Sequence, residues 1–264
     1  MPPEQDHSDA FLHGTIFLHR GNLDGARRCF EDALRETRLG NDPARLVPVL
    51  LNLGSVYAAL GDQLRARASY EEVLALQHGA FDARTVGQTL VNLGNLSREL
   101  GDPGRARAYY LEARDFLEPA GDHRSLGILY SNLAMLDADA GRLDEAIALL
   151  KKAIDLHKQT GYEEGLAGTW GKLGQVFLQA RQLREAETCF NYSSSHFISV
   201  GDTAGEAEAL RGLADVYEAR PDAELARRCA ARVSEIQRRY GLPKEERDVA
   251  RETRLGIGRR APEA

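Results

Sequence analysis

The sequence predicts an all-α fold, an α-solenoid of about six helix-turn-helix pairs. Three observations lead there. The triplet Asn52-Leu53-Gly54 returns 40 residues later as Asn92-Leu93-Gly94, then as Asn132-Leu133-Ala134, and continues as Lys172-Leu173-Gly174 and Gly212-Leu213-Ala214. A second column keeps the same register: Ala26, Ala66, Ala106, Ala146, Ala186 and Ala226, followed four residues later by Phe30, Tyr70, Tyr110, Leu150, Phe190 and Ala230. A third column, Gly21, Gly61, Gly101 and Gly141, marks a turn and gives way to Arg181 and Pro221. Self-similarity at one fixed period is the signature of a repeat architecture.

The elements follow in order. Residues 1–7 are expected to be flexible. The first cycle (8–40) places Gly14 in one helix and Ala26 and Phe30 in the next, with Gly21 between. In the second (46–80), Leu50, Leu53, Gly54 and Tyr57 fall at i, i+3, i+4 and i+7, one face of a helix. Gly61-Asp62 ends that helix and caps the next, whose buried face carries Ala66, Tyr70 and Val73. The apolar run Leu46–Leu51 is interrupted by Pro48. The third cycle (86–120) has Asp102-Pro103 at the same turn, and proline suits a first helical position. Gly121-Asp122, Gly161-Tyr162 and Gly201-Asp202 lead into the fourth (126–160), fifth (166–200) and sixth (206–240) cycles. The sixth lacks the turn glycine, as terminal repeats often depart from the pattern. The tail, 241–264, is polar and mixes signs. Residues 244–255 can form a capping helix over the sixth cycle, and the remainder reads as disordered.

Neither helix of a pair can bury its apolar face alone, and stacking successive pairs does so. The small residues Gly14, Gly54, Gly94, Ala134, Gly174 and Ala214 recur although glycine costs a helix interior up to roughly 1 kcal/mol relative to alanine. Their recurrence predicts a partner helix too close for a larger side chain.

These columns resemble the tetratricopeptide repeat. That family has a large residue, then Leu-Gly, then an aromatic in its first helix, and Ala with an aromatic four later in its second. Trp170, Leu173, Gly174 and Phe177, with Ala186 and Phe190, supply that pattern in the fifth cycle. The resemblance spans roughly 8–240. The 40-residue period is similar to the long-helix subgroup of Leu-Gly-Asn repeat scaffold proteins and kinesin light chains. It implies a right-handed superhelix with first helices lining a concave groove and second helices forming the convex back. It also implies a non-enzymatic adaptor that holds a partner's peptide or helix in that groove. Chaperone-binding members clamp a terminal carboxylate with two lysines, an arginine and two asparagines. Only Asn95 and Lys172 sit suitably here, which argues against chaperone tails.

At 100° per residue, the first-helix face turned from the core carries Asn52 and Ser55 in cycle two, and Gln88, Asn92, Asn95, Arg98 and Glu99 in cycle three. Asn132, Met135 and Asp139 follow in cycle four, Lys172, Gln175 and Gln179 in cycle five, and Arg211 and Asp215 in cycle six. These are the candidate partner-binding residues. Asparagine is a poor helix former, so propensity does not explain Asn52, Asn92 and Asn132. Its amide both donates and accepts, which suits the backbone of an extended peptide. The competing reading is that these asparagines bond a neighbouring repeat or water. The charges alternate in sign, which disfavours a single-signed ligand.

A net charge of −6 argues against a chain built to neutralise nucleic-acid phosphate. No apolar run approaches the roughly 20 residues that span a bilayer, and no secretory signal is visible at the start. A cytoplasmic, bacterial protein is expected, the latter because arginine far outnumbers lysine. Cys29, Cys189 and Cys229 share one column without CxxC spacing, and they read as half-buried helix residues rather than zinc ligands or a disulfide. The seven histidines are scattered, with no catalytic constellation. No cofactor or metal is expected. The leading function is a protein–protein interaction module, with a peptide-responsive regulator of a separate effector and a self-assembling scaffold or homo-oligomer as alternatives.

Overall fold

The structure is a computed structural model that describes residues 9–40, 43–76 and 83–257. Among these residues the chain forms thirteen α-helices and no strand, in two compact units divided between Asp122 and His123. The expected flexible residues 1–7 and the distal end of the tail lie outside the described residues.

The first unit contains α1 (Asp9–His19), α2 (Leu23–Gly40), α3 (Pro43–Ala59), α4 (Gln63–Ala75), α5 (Ala83–Glu99) and α6 (Pro103–Leu117). Each helix packs on the next as far as α6, and α3 also touches α5. The second unit contains α7 (His123–Asp139), α8 (Leu143–Thr160), α9 (Glu163–Gln179), α10 (Leu183–Val200), α11 (Thr203–Ala219), α12 (Ala223–Tyr240) and α13 (Glu246–Leu255). Here too each helix packs on its successor, while the first helices α7, α9 and α11 contact one another in a row. This neighbour-on-neighbour stacking is that of an α-solenoid.

The three columns explain the packing. The alanine column, Ala26 through Ala226, is wholly buried in every pair. The glycines of the first helices face the aromatic column. A Cβ on Gly54 would stand 2.4 Å from the Tyr70 ring, and one on Gly94 would stand 2.4 Å from the Tyr110 ring. Where Leu150 replaces the aromatic, the opposing residue is Ala134, and both are buried in one cluster. Small and large residues are therefore matched in the first five pairs, whereas the sixth has Ala214 and Ala230 in these columns.

The turns work as the capping chemistry requires. Asp62, Asp102, Asp202 and Asp222 accept backbone N–H bonds from Arg65, Arg105, Gly205 and Leu225 at 2.9–3.1 Å. Gly61 turns the chain at φ 78°, in the left-handed region that glycine adopts without penalty. Arg181 makes the equivalent turn in the fifth pair at φ 59° with a side chain present. Pro48 does not break α3, which runs from Pro43 to Ala59 with Pro48 exposed inside it.

Candidate binding face

In the first unit the candidate residues stand on α3 and α5, and most of them have structural partners. Asn52 Nδ2 donates to the Pro48 carbonyl at 2.9 Å, within its own helix. Ser55 Oγ donates to the Leu51 carbonyl and lies 3.2 Å from the Tyr70 hydroxyl. Asn95 Oδ1 accepts from the Tyr110 hydroxyl at 2.6 Å. Burial pushes that phenol up to about 12, against the pull of Arg98. The pairing follows residue type across the repeats. Polar Ser55 and Asn95 stand opposite tyrosines, whereas Met135 stands opposite Leu150 and packs into the apolar cluster around it. Gln88 Nε2 donates to Asp122 at 3.0 Å. Asn92 is half-buried, while Arg98 and Glu99 are exposed at the end of α5.

In the second unit the candidates lie along the row α7–α9–α11. Asn132 is buried on α7, and its Oδ1 accepts from Lys172 Nζ of α9 at 2.9 Å. The same ammonium donates to Ser131 Oγ at 3.0 Å. Two residues 40 apart in sequence thus tie successive first helices together. Asp139, Gln175 and Gln179 are exposed beside this pair and open to solvent. On α9, Trp170 stacks on Tyr192 of α10 with ring centroids 5.0 Å apart.

Arg211 and Asp215 require a correction. The sequence reading sets them on an open face, but α13 covers them. Arg211 Nε and Nη2 each donate to a carboxylate oxygen of Asp248 at 2.9 Å, with side chains only 7% and 5% exposed. Asp215 pairs with Arg251, which is itself buried and also bonds Glu218 at 3.0 Å. Burial alone would raise the Asp248 carboxyl, yet the bonds from Arg211 and Gln237 outweigh it and hold the group below the usual carboxylate range. Asp248 and Arg251 are site residues that sequence reasoning missed. The available signal was Gly241, which continues the entry column Gly121, Gly161, Gly201 and so announces another first helix.

Among the described residues, no helix is long and apolar enough to cross a membrane. Cys189 is buried, and burial pushes its thiol up to about 12, while Cys29 and Cys229 are half-buried.

A tetratricopeptide-repeat family model matches residues 8–77 and 85–159, and a second tetratricopeptide-repeat model matches residues 172–237. No curated protein matches the chain at a significant level. Similar solved structures include BtubC (BKLC) from P. vanneervenii, 20% identical, with 85% of this chain and 92% of that chain covered and a TM-score of 0.68. The APC/C hetero-tetramer Cut9–Hcn1 offers a chain 18% identical at TM-score 0.73, covering 94% of this chain and 42% of that one. The type IV pilus biogenesis factor PilW is 18% identical at TM-score 0.63, with 93% and 99% covered. At these identities the likeness is one of fold.

Proposed function

Because this chain belongs to the tetratricopeptide repeat family, whose repeats are protein–protein interaction modules, we propose that it is a non-enzymatic adaptor holding a peptide or helix of a partner protein against its first helices. In the second unit the ligand face is the α7–α9 surface bearing Asp139, Gln175 and Gln179. The observation that carries this reading is the Lys172–Asn132 bond. It locks α7 and α9 in register without consuming the exposed amides and carboxylate beside it. A fixed row of donors and acceptors loses little freedom on binding, which favours affinity. Glutamine amides can both donate to and accept from a partner's backbone. In the first unit, Arg98 and Glu99 on α5 are the corresponding exposed residues, with Asn92 beside them.

The test is site-specific photo-crosslinking in native extract. A crosslinker at Gln175 or Gln179 should capture one discrete partner, and one at Lys151, exposed on the second helix α8, should not. Equal capture from Lys151 would move the site to the opposite face. A captured species that is only this chain, together with light-scattering mass above 29.1 kDa, would replace the adaptor with self-assembly.

A further inference from the structure

The tail helix α13 stands in register with the repeat: Asp248 is 40 residues beyond Glu208, and Arg251 is 40 beyond Arg211. It takes the place of the first helix of a seventh pair, but it is held differently. Helix α9 buries Leu166, Ala167, Leu173, Gly174 and Val176, whereas the residues α13 buries are Asp248 and Arg251. Its side-chain contact with α11 is mainly ionic. Asp248 takes both bonds from Arg211, Arg247 reaches Glu208 at 2.6 Å, and Arg251 reaches Asp215 and Glu218. Arg254 adds a bond to Glu218 at 2.8 Å. The apolar share is small, since Leu255 packs on the neighbouring cluster and Val249 is 49% exposed.

We propose that α13 is a displaceable stand-in for a partner helix. The charged face of α11, formed by Glu208, Arg211, Asp215 and Glu218, is a docking surface for a helix with a carboxylate followed by arginines at i+3 and i+6, the pattern of Asp248, Arg251 and Arg254. Residues at those offsets project from one side of a helix. A helix held by ion pairs, with little apolar burial, is released by competing charge and by salt, because screening shortens the reach of its exposed contacts. A helix held by a packed apolar stripe is not. With α13 in place, Arg211 is paired with Asp248, and Glu208, Asp215 and Glu218 are paired with the arginines of α13. A ligand of the same pattern can therefore take over the pairs that α13 makes. This inference rests on the reading that first helices bind a partner, but it concerns a different surface from Gln175 and Gln179.

The test uses the full chain carrying Asp248→Arg and Arg251→Glu, which repels its own α13, and a labelled synthetic peptide of residues 243–257. Fluorescence anisotropy should show saturable binding to this variant, at least tenfold tighter than to the wild type. Adding Arg211→Glu should abolish that binding, and raising NaCl from about 0.1 to 1 M, which shortens the screening length from about 10 to 3 Å, should weaken it through the exposed contacts. If circular dichroism shows that the variant is unfolded, Arg247→Glu with Arg254→Glu, both at exposed positions, serves in its place. Peptide binding that is equal in wild type and variant, or that survives Arg211→Glu, overturns the proposal. So does hydrogen exchange in which wild-type α13 stays as protected as α12 in 1 M NaCl, because that describes a permanent cap. Any of these results leaves the α7–α9 crosslinking outcome untouched.

Discussion

Gly94 and Tyr110 form a matched pair: the tyrosine ring occupies the space where any Cβ on residue 94 would have to go. Gly94→Ala gains helix propensity of up to about 1 kcal/mol, but the clash reaches several atoms of a wholly buried ring and wins. A net loss of about 1–3 kcal/mol in urea denaturation is expected, in line with overpacking elsewhere. The fourth pair supplies the remedy, since Ala134 there faces Leu150. Tyr110→Leu combined with Gly94→Ala should recover part of that loss, and a double variant no better than the single would contradict the matching. His157 occupies the position that Leu117 holds one repeat earlier, and it fills a slot against Gly127 and Gly165 with its ring edge-on to Tyr162. Burial, then the charges of Lys172 and Arg124, push this imidazole down to about 4, and its Nδ1 has no partner among the described residues. The unfolded chain takes up the proton near 6.5 and the folded one resists it. Stability is therefore full above pH 6.5 and falls as the pH drops toward 4, by up to about 3 kcal/mol. His157→Leu should flatten that slope in urea titrations at several pH values, and an unchanged slope would assign it to other groups.

Helix α3 is apolar enough, and packed well enough on α2 and α4, to carry a proline in its interior. Pro48 cannot donate the backbone bond that other residues in a helix supply. Proline is roughly 3 kcal/mol less favourable than alanine in a helix interior, and α3 survives because its burial of Val47, Val49, Leu50 and Leu53 outweighs the defect. Pro48→Ala, an exposed change, is expected to raise the melting temperature by several degrees, corresponding to about 1–3 kcal/mol. A melting temperature that stays put or falls would mean the proline is compensated within α3. The contrast with α13 is instructive at this scale. One helix is kept by apolar burial despite a poor local sequence, and the other by ion pairs despite little apolar burial.

Within each unit, helices contact their immediate neighbours, α3 also contacts α5, and α9 contacts both α7 and α11. In such a linear architecture stability is close to a sum of local terms, so damage should stay near its source. Gly54→Val, which forces a branched side chain into the Tyr70 ring, should raise hydrogen exchange in α3 and α4 and in the adjoining α2 and α5. Helices α9 to α12 should keep their protection, whereas uniform loss along the chain would show a cooperative unit larger than the contacts imply.

The fold was legible in one sequence because a repeat states its contacts six times over. The columns of Gly, Ala and aromatic residues name both sides of each helix pair, and the Gly-Asp steps name the turns. The candidate face was legible only in part. Periodicity tells which way Ser55, Asn95, Asn132 and Lys172 leave their helices, but not what stands opposite. The Tyr70 and Tyr110 hydroxyls come from 15 residues away, and the Asn132–Lys172 bond comes from 40. Pro48 stands inside α3 although local propensity disfavours it, because packing overrides that preference. A capping helix over the sixth cycle is expected at 244–255, but Arg211 and Asp215 still look open because a polar tail carries no apolar periodicity to say which side chains it covers. Sequence alone determined the repeat, its period and its class of fold, since these depend on side-chain size and spacing along the chain. Tertiary structure alone decided which polar residues remain available to a partner, because an ion pair such as Arg211–Asp248 forms only once both helices have been placed.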